Sequence, residues 1–562
     1  MPLALVKVSC INDRLIPLGL ACLQAYLKLH SQQVHVFNFR ATDYTLPKVI
    51  FDPLIQLDLT NFIMNHQDFP MIVPIANDIN NNQEPDFSNG MYVDIIKDYS
   101  TRMFEPPKTT KIRFEGMLSY CKNTVLVELK DYSTVAFSLN YLNISETVIL
   151  SCLLKRCNPE CTIVWGGPSI TQSFEAFKIF LKEGICDGLV IGEGEHPLLE
   201  VAKGVKMTKI KGVMTLDQQQ NYKYSPGIQL DLDLLPTPDY THIPLDTYYQ
   251  IASTYRSRGC TNRCQFCAEW KLFGPRFRTR SVEKVVQDVE TIVREFKPRF
   301  MLFGESLIND DLEYFEELCD KLIEKNLDIK FGTHFRANIT PSLAKKAKRA
   351  GFEDAWVGFE AFSDTDLKEM NKGTSVNQNM ETIESLTQAG VNVLAMLVVG
   401  FSDIRTEKSN CQSIIQTITH FSKRSYIDKE GIERPLPVQF RPAPMYIVPG
   451  SFDYQSKKNS AMWPWKSKYR TDQNERDIVK LEKKLLEIPY TFNRPISDEK
   501  IVDIMVQIQD ADRQAGFTIG GVMKYVINYT MEMRKMDRQK RKTQRIGVSA
   551  QRFEPKIKQQ IN

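Results

Sequence analysis

A chain of 562 residues is too long for one hydrophobic core and should divide into two or three units. With 42% hydrophobic and 25% charged residues it has the make-up of an ordinary soluble globular protein, and a net charge of +4 points to no particular partner. The longest apolar run, Val393–Phe401, is too short to span a bilayer. Met1–Leu5 is cut off by Lys7 and Asp13 before it could serve as a secretory signal. Twelve scattered cysteines then read as reduced thiols of a cytoplasmic protein rather than a disulfide framework.

In chain order, Leu3–Val8 predicts a strand, Pro17-Leu18-Gly19-Leu20 opens a helix to about Leu29, and Val34–Phe37 predicts a second strand. This is a βαβ unit, which implies a parallel sheet. From about 41 to 130 the pattern weakens into an insertion carrying some helix. The sheet resumes at Thr134–Ser138, followed by a helix near Ser145–Arg156 and a strand at Thr162–Trp165. Gly166-Gly167-Pro168-Ser169 makes a tight turn, and Gly188–Ile191 is a short strand leading into Gly192-Glu193-Gly194-Glu195. Glycines at the carboxyl ends of parallel strands let a backbone approach a flat ligand closely. Residues 1–215 thus read as one Rossmann-like α/β unit, and 216–250, punctuated by Pro226, Pro236, Pro238 and Pro244, as a linker.

Beyond residue 251 helices and strands alternate. Strands are expected at Phe300–Phe303, Ile329–Thr333, Ala355–Phe359, Val391–Val399 and Pro437–Pro442, with Ser281 as the cap of the first helix. About six βα repeats make 251–450 a partial parallel barrel with its chemistry at the carboxyl ends of the strands. Residues 451–562 read as a small helical cap, with helices at 478–488 and 499–508 and a loose cluster of Trp463, Trp465, Tyr469 and Tyr490. The tail 531–562 holds ten Lys and Arg against three Asp and Glu, and reads as a solvated end.

One short stretch carries chemistry of its own. Arg258-Gly259-Cys260-Thr261-Asn262-Arg263-Cys264-Gln265-Phe266-Cys267 follows the strand that bears Tyr255. Three cysteines with three and then two residues between them can wrap one face of a cubane iron–sulfur cluster. A full protein set would be four, so one iron is left open to a small chelating molecule. A structural zinc site or a thiol redox pair are the competing readings.

Cys260-x3-Cys264-x2-Cys267, with aromatic Phe266 before the last cysteine, resembles the signature of the radical S-adenosylmethionine enzymes. The resemblance implies a [4Fe-4S] cluster on the three cysteines. It also implies S-adenosyl-L-methionine on the open iron, cleaved to a 5′-deoxyadenosyl radical with an electron from an external flavodoxin- or ferredoxin-type donor. It places Phe266, Glu305, Arg336, Glu360 and Gly400 at the S-adenosylmethionine site. There Glu305 would receive the amine, Arg336 the carboxylate, Glu360 the ribose, and Gly400 would pack beside adenine. His334 is a candidate acid or base on the substrate side.

The ordered set Pro17-Leu18-Gly19-Leu20, Ala136-Phe137-Ser138, Gly166-Gly167-Pro168 and Gly192-Glu193-Gly194-Glu195 is similar to the cobalamin-binding domain of one large branch of that family. The likeness implies cobalamin held by Leu18, Ser138, Gly166, Gly167, Gly192, Glu193 and Gly194. The Asp-x-His-x-x-Gly motif of classical cobalamin domains is missing, so the lower cobalt ligand is unassigned.

As the resemblance implies, the leading function is methylation of an unactivated carbon in a small-molecule or peptide substrate. A radical cyclisation or rearrangement without net methyl transfer is the alternative. An RNA-modifying enzyme and a non-catalytic cobalamin sensor stand behind both, and no nucleic-acid-binding fold is visible in the sequence.

Overall fold

Two sheets position everything that follows. The computed structural model describes residues 2–9, 17–40, 75, 78–87, 107–140, 143–273, 276–401, 404–445, 451–452 and 498–517. The first sheet contains β1 (Leu3–Ser9), β2 (Val34–Arg40), β3 (Thr134–Ser138), β4 (Thr162–Gly166), β5 (Gly188–Val190), β6 (Val213–Leu216) and β7 (Tyr222–Tyr224). Their spatial order is β2-β1-β3-β4-β5-β6-β7. The first five run parallel, whereas β6 and β7 turn back antiparallel.

Period-2 alternation gives these strands two apolar faces. Ala4, Val6, Val8, Val135, Phe137, Ile163 and Trp165 join one core, together with Ile75, Ile79 and Met117 from the described part of the insertion. That part is helical, from Pro107–Tyr120 through a π turn at Cys121–Val125, and it forms a layer on the sheet. Leu3, Leu5, Ala136, Val164 and Val190 face the other way, into a core shared with the second half of the chain. The expected boundary at residue 215 falls inside β6. The β6–β7 hairpin carries the sheet to Tyr224 through part of the stretch read as linker, because Val213, Met214 and Thr215 are buried against it.

The second half begins with β8 (Ile251–Thr254), β9 (Ser257–Arg258) and β10 (Arg278–Thr279). It continues with β11 (Phe300–Phe303), β12 (Phe331–Phe335), β13 (Phe352–Glu360), β14 (Asn392–Val399), β15 (Ser425–Ile427), β16 (Glu433–Pro435) and β17 (Val438–Pro444). Six of these form one sheet in the order β17-β14-β13-β12-β11-β8, every neighbour parallel. This is the architecture of a partial barrel. Its return helices start where side chains accept otherwise unpaired backbone N–H groups: Ser281 from Lys284, Asp311 from Tyr314, Thr340 from Leu343 and Ser375 from Gln378. β9 and β10 make a separate antiparallel ribbon beside the barrel.

The helix Asp498–Ala515 covers the helix expected at 499–508. Its apolar stripe of Ile501, Ile504, Met505 and Ile508 packs against the helix Ile404–Ser422 and β17, and Asp512 accepts the Phe440 N–H at 2.9 Å. The described part of the expected cap therefore packs on the barrel's last strand and last helix, with Ile501 against Gly400 at the carboxyl end of β14. The helix expected at 478–488, the aromatic cluster and the basic tail lie outside the described residues. No helix among the described residues is long and apolar enough to cross a membrane.

Candidate active site

The cysteine loop leaves β9 through Gly259, whose φ of +95° only glycine adopts easily. A Cβ there would also lie 3.2 Å from the Arg276 carbonyl oxygen. The loop then docks on the segment after β13: the Gln265 N–H donates to the Met370 carbonyl at 3.0 Å, and Asn371 donates to the Arg263 carbonyl at 2.8 Å. Cys264 is buried; Cys260, Phe266 and Cys267 are half-buried.

Burial raises the Cys264 thiol above its ordinary range, opposed by the nearby charges of Lys372 and Arg336. Burial likewise pushes Cys267 up to about 12, eased by the Glu269 N–H, which donates to its sulfur at 3.4 Å. Cys260 and Cys264 add to that push, so the three thiols feel one another electrostatically. Bound iron would displace their protons, and the flanking cations would offset the resulting negative charge. The donor set therefore fits a cluster. Among the described residues no three or more His, Cys, Asp or Glu side chains are gathered as ligands of one metal ion.

Arg336 and Glu360 meet at the carboxyl ends of β12 and β13. Glu360 adopts a left-handed φ of +66°, rare for a residue with a side chain, where the β13–β14 register slips. It pairs with half-buried Lys372 at 2.9 Å, and Arg336 donates to the Lys372 and Gly373 carbonyls at 2.6 and 3.1 Å. Cys264, Lys372, Glu360 and Arg336 thus form one electrostatic group. Lys372 was missed from the sequence. A lysine before a left-handed glycine, in the loop that leads to the Ser375 cap, was the available signal.

Glu305 belongs to a different group. It is buried at the end of β11, where Oε2 accepts the Arg256 N–H at 3.1 Å and Oε1 has no hydrogen-bond partner. Burial raises it to about 7, against the pull of Arg256, whose guanidinium is itself bonded to Asp310 and to the Leu307 carbonyl. An orphaned buried acceptor is what an ammonium group would satisfy. Gly400 has a φ of +92°, and a Cβ there would lie 2.7 Å from Ile501 Cδ1. That packing alone accounts for the missing side chain.

His334 faces Trp356 edge-on, with ring centroids 5.1 Å apart. Burial drops its pKa from 6.5 to about 4, so it is neutral at ordinary pH and holds no imidazolium proton to donate as an acid. Acidification protonates the unfolded chain first, so stability present above about pH 6.5 is lost on the way down to about pH 4, by about 3 kcal/mol. His334→Gln is expected to flatten that slope in urea unfolding; an unchanged slope would mean that the imidazole is solvated.

A cavity of about 330 Å3 opens at the carboxyl edge of the first sheet. Leu18, Ser138, Gly166, Gly167, Gly192, Glu193 and Gly194 all line it. It lies where the strand order reverses between β1 and β3, the usual place for a ligand on an open parallel sheet. The opposite wall comes from the barrel half, through Tyr255, Ser257, Arg258, Phe273 and Gly304, which sequence reasoning did not connect to it. Leu18 reaches across to Gly304, whose missing Cβ would lie 2.8 Å from Leu18 Cδ2. Glu193 lines the cavity, but its carboxylate is already held by Arg258 and Arg278. Apolar side chains with backbone exposed at two glycine turns suit a flat macrocycle, so the residues fit cobalamin.

Residues 254–407 match the Radical SAM superfamily. The chain is 26% identical over 288 residues to an uncharacterized methyltransferase of Pyrococcus horikoshii, covering 49% of this chain and 61% of the relative. It is 26% identical over 274 residues to the anaerobic magnesium-protoporphyrin IX monomethyl ester cyclase of Rubrivivax gelatinosus, covering 45% and 48%. The chain spans about half the length of the curated relatives it matches. Its fold is similar to that of the cobalamin-dependent S-adenosylmethionine radical enzyme OxsB, with a TM-score of 0.59 at 15% identity over 95% of this chain and 83% of that one. Residues 254–407 are thus similar to the Radical SAM superfamily, within a chain whose fold resembles that of a cobalamin-dependent S-adenosylmethionine radical enzyme.

Proposed function

We propose that this chain is a cobalamin-using radical S-adenosylmethionine enzyme that methylates an unactivated carbon of a small-molecule or peptide substrate. The observation that carries the reading is the cavity at the end of the first sheet. One wall holds all seven residues expected to contact cobalamin, and the other holds Arg258, two residues before Cys260. A cluster bound by Cys260, Cys264 and Cys267 would supply the electron that cleaves S-adenosylmethionine, and cobalamin in the cavity would supply a methyl carrier.

The chain's own residues then have definable work. Arg336, Lys372 and Glu360 form a charged rim beside Cys264 suited to the amino-acid end and ribose of S-adenosylmethionine. Glu305 Oε1, which makes no hydrogen bond and has Arg256 Nε 4.0 Å away, offers an acceptor for its amine. Half-buried Leu302, Trp356, Leu394 and Met396 alternate with residues buried in the outer core, and give the barrel an apolar inner wall that keeps water from a reactive radical. An external one-electron donor of the flavodoxin or ferredoxin type completes the system.

The cyclase relative supports a second reading, radical rearrangement without methyl transfer. Anaerobic protein given S-adenosylmethionine, hydroxocobalamin and dithionite distinguishes them. A methyltransferase should release 5′-deoxyadenosine and S-adenosylhomocysteine together. Release of 5′-deoxyadenosine alone would favour rearrangement, and release of neither would leave a sensor.

A further inference from the structure

The cavity and the cysteine loop are joined by one side chain. Arg258 precedes the loop by a single residue, Gly259, and forks onto two carboxylates of the glycine turn in the other half of the chain. Its Nη1 is 2.9 Å from Glu193 Oε2, and its Nη2 is 2.5 Å from Glu195 Oε1. Both carboxylates flank Gly194, and Gly192, Glu193, Gly194, Glu195 and Arg258 all line the cavity. Opposite Arg258 on the β9–β10 ribbon stands Arg278, which takes the second oxygen of Glu193 and the Leu230 carbonyl at 2.7 Å. Arg258 is 7% exposed and Glu195 4%, so little water intervenes to soften the contact.

We infer that Arg258 is a positioning residue that couples occupancy of the cavity to the setting of the three cysteines. The inference rests on the reading that the cavity takes cobalamin. A ligand pressing on the 192–195 turn shifts Glu193 and Glu195. The forked guanidinium follows both, and only Gly259 separates it from Cys260. Coupling of this kind is reciprocal: a bound cluster must favour the ligand as much as the ligand favours the cluster.

The test measures hydroxocobalamin affinity in full-length protein with and without the reconstituted cluster. In the wild type the two dissociation constants should differ by at least about fivefold. In R258K, where one ammonium cannot fork between two carboxylates, the ratio should collapse to about one while hydroxocobalamin and iron still bind. Where R258K fails to fold, E195Q removes one carboxylate charge with little change of shape and should lower the ratio in the same direction. The cluster's electron paramagnetic resonance should shift on cobalamin loading in the wild type and not in the variant, a response that loss of fold stability alone would not abolish selectively. A wild type with equal affinities, or an R258K protein that keeps the wild-type ratio, overturns the coupling alone. A wild type that binds no hydroxocobalamin overturns the cofactor reading and the coupling with it.

Discussion

Cys264→Ala is expected to remove the iron–sulfur cluster outright, and 5′-deoxyadenosine formation should fall to the level of a protein-free control. Cys260→Ala and Cys267→Ala should do the same. The loop has three thiols and no surplus, so any one loss leaves too few ligands for the cluster. Cys319→Ala is the matching control, because that thiol is buried in the barrel's helical layer, on the helix Leu312–Lys325. It should cost stability but retain iron. Iron, sulfide and zinc content after anaerobic reconstitution decides the matter. One tightly held zinc per chain, with no iron, would replace the cluster by the zinc reading.

The second large effect concerns the cavity. Gly167 is a poor place to block it: φ is +98°, and a Cβ would meet the Leu139 carbonyl oxygen at 2.6 Å, so any substitution there tests folding as well as binding. Gly19 is different. It lines the cavity from the helix Leu18–Leu29, and a Cβ at that position meets nothing within 4 Å. Gly19→Trp should therefore weaken cobalamin binding roughly a hundredfold, equivalent to about 2.8 kcal/mol. The cluster and S-adenosylmethionine cleavage should remain. Gly19 stands in the first turn of its helix, where Trp differs from Gly in helix propensity by only about a few tenths of a kcal/mol, so the thermal midpoint should change little. Cobalamin retained at the wild-type level would mean that the ligand sits elsewhere.

Much of this was legible because the signals are local. Strand alternation at Leu3–Val8 and Thr134–Ser138, the Ser281 cap and the cysteine spacing each lie within a few residues of one another. The strand-end glycines could be read for the same reason, and they converge on one cavity. Contacts across long separations could not be read. Nothing near Glu193 announces that Arg258 will take its carboxylate, and nothing near Gly400 announces Ile501, about a hundred residues later. Lys372 was hidden differently: a lone lysine in a loop ordinarily faces water, and its burial depends on a partner, Glu360, held in an unusual backbone conformation. The β6–β7 hairpin is short and follows a crossover pattern, so it was absorbed into the linker.

The inner face of the first sheet and the barrel's helices belong to one continuous apolar cluster, in which Leu3, Leu20 and Tyr26 join Val285, Phe303 and Phe315. Halves that share their interior cannot be treated as interchangeable modules. Dividing the chain between Tyr224 and Ile251 would leave each piece with an uncovered oily flank, prone to stick to its own copies. It would also strand Arg258 without its carboxylates. In descent as in the laboratory, such a pair of halves is expected to travel together, each change on one side of the seam constrained by its counterpart on the other.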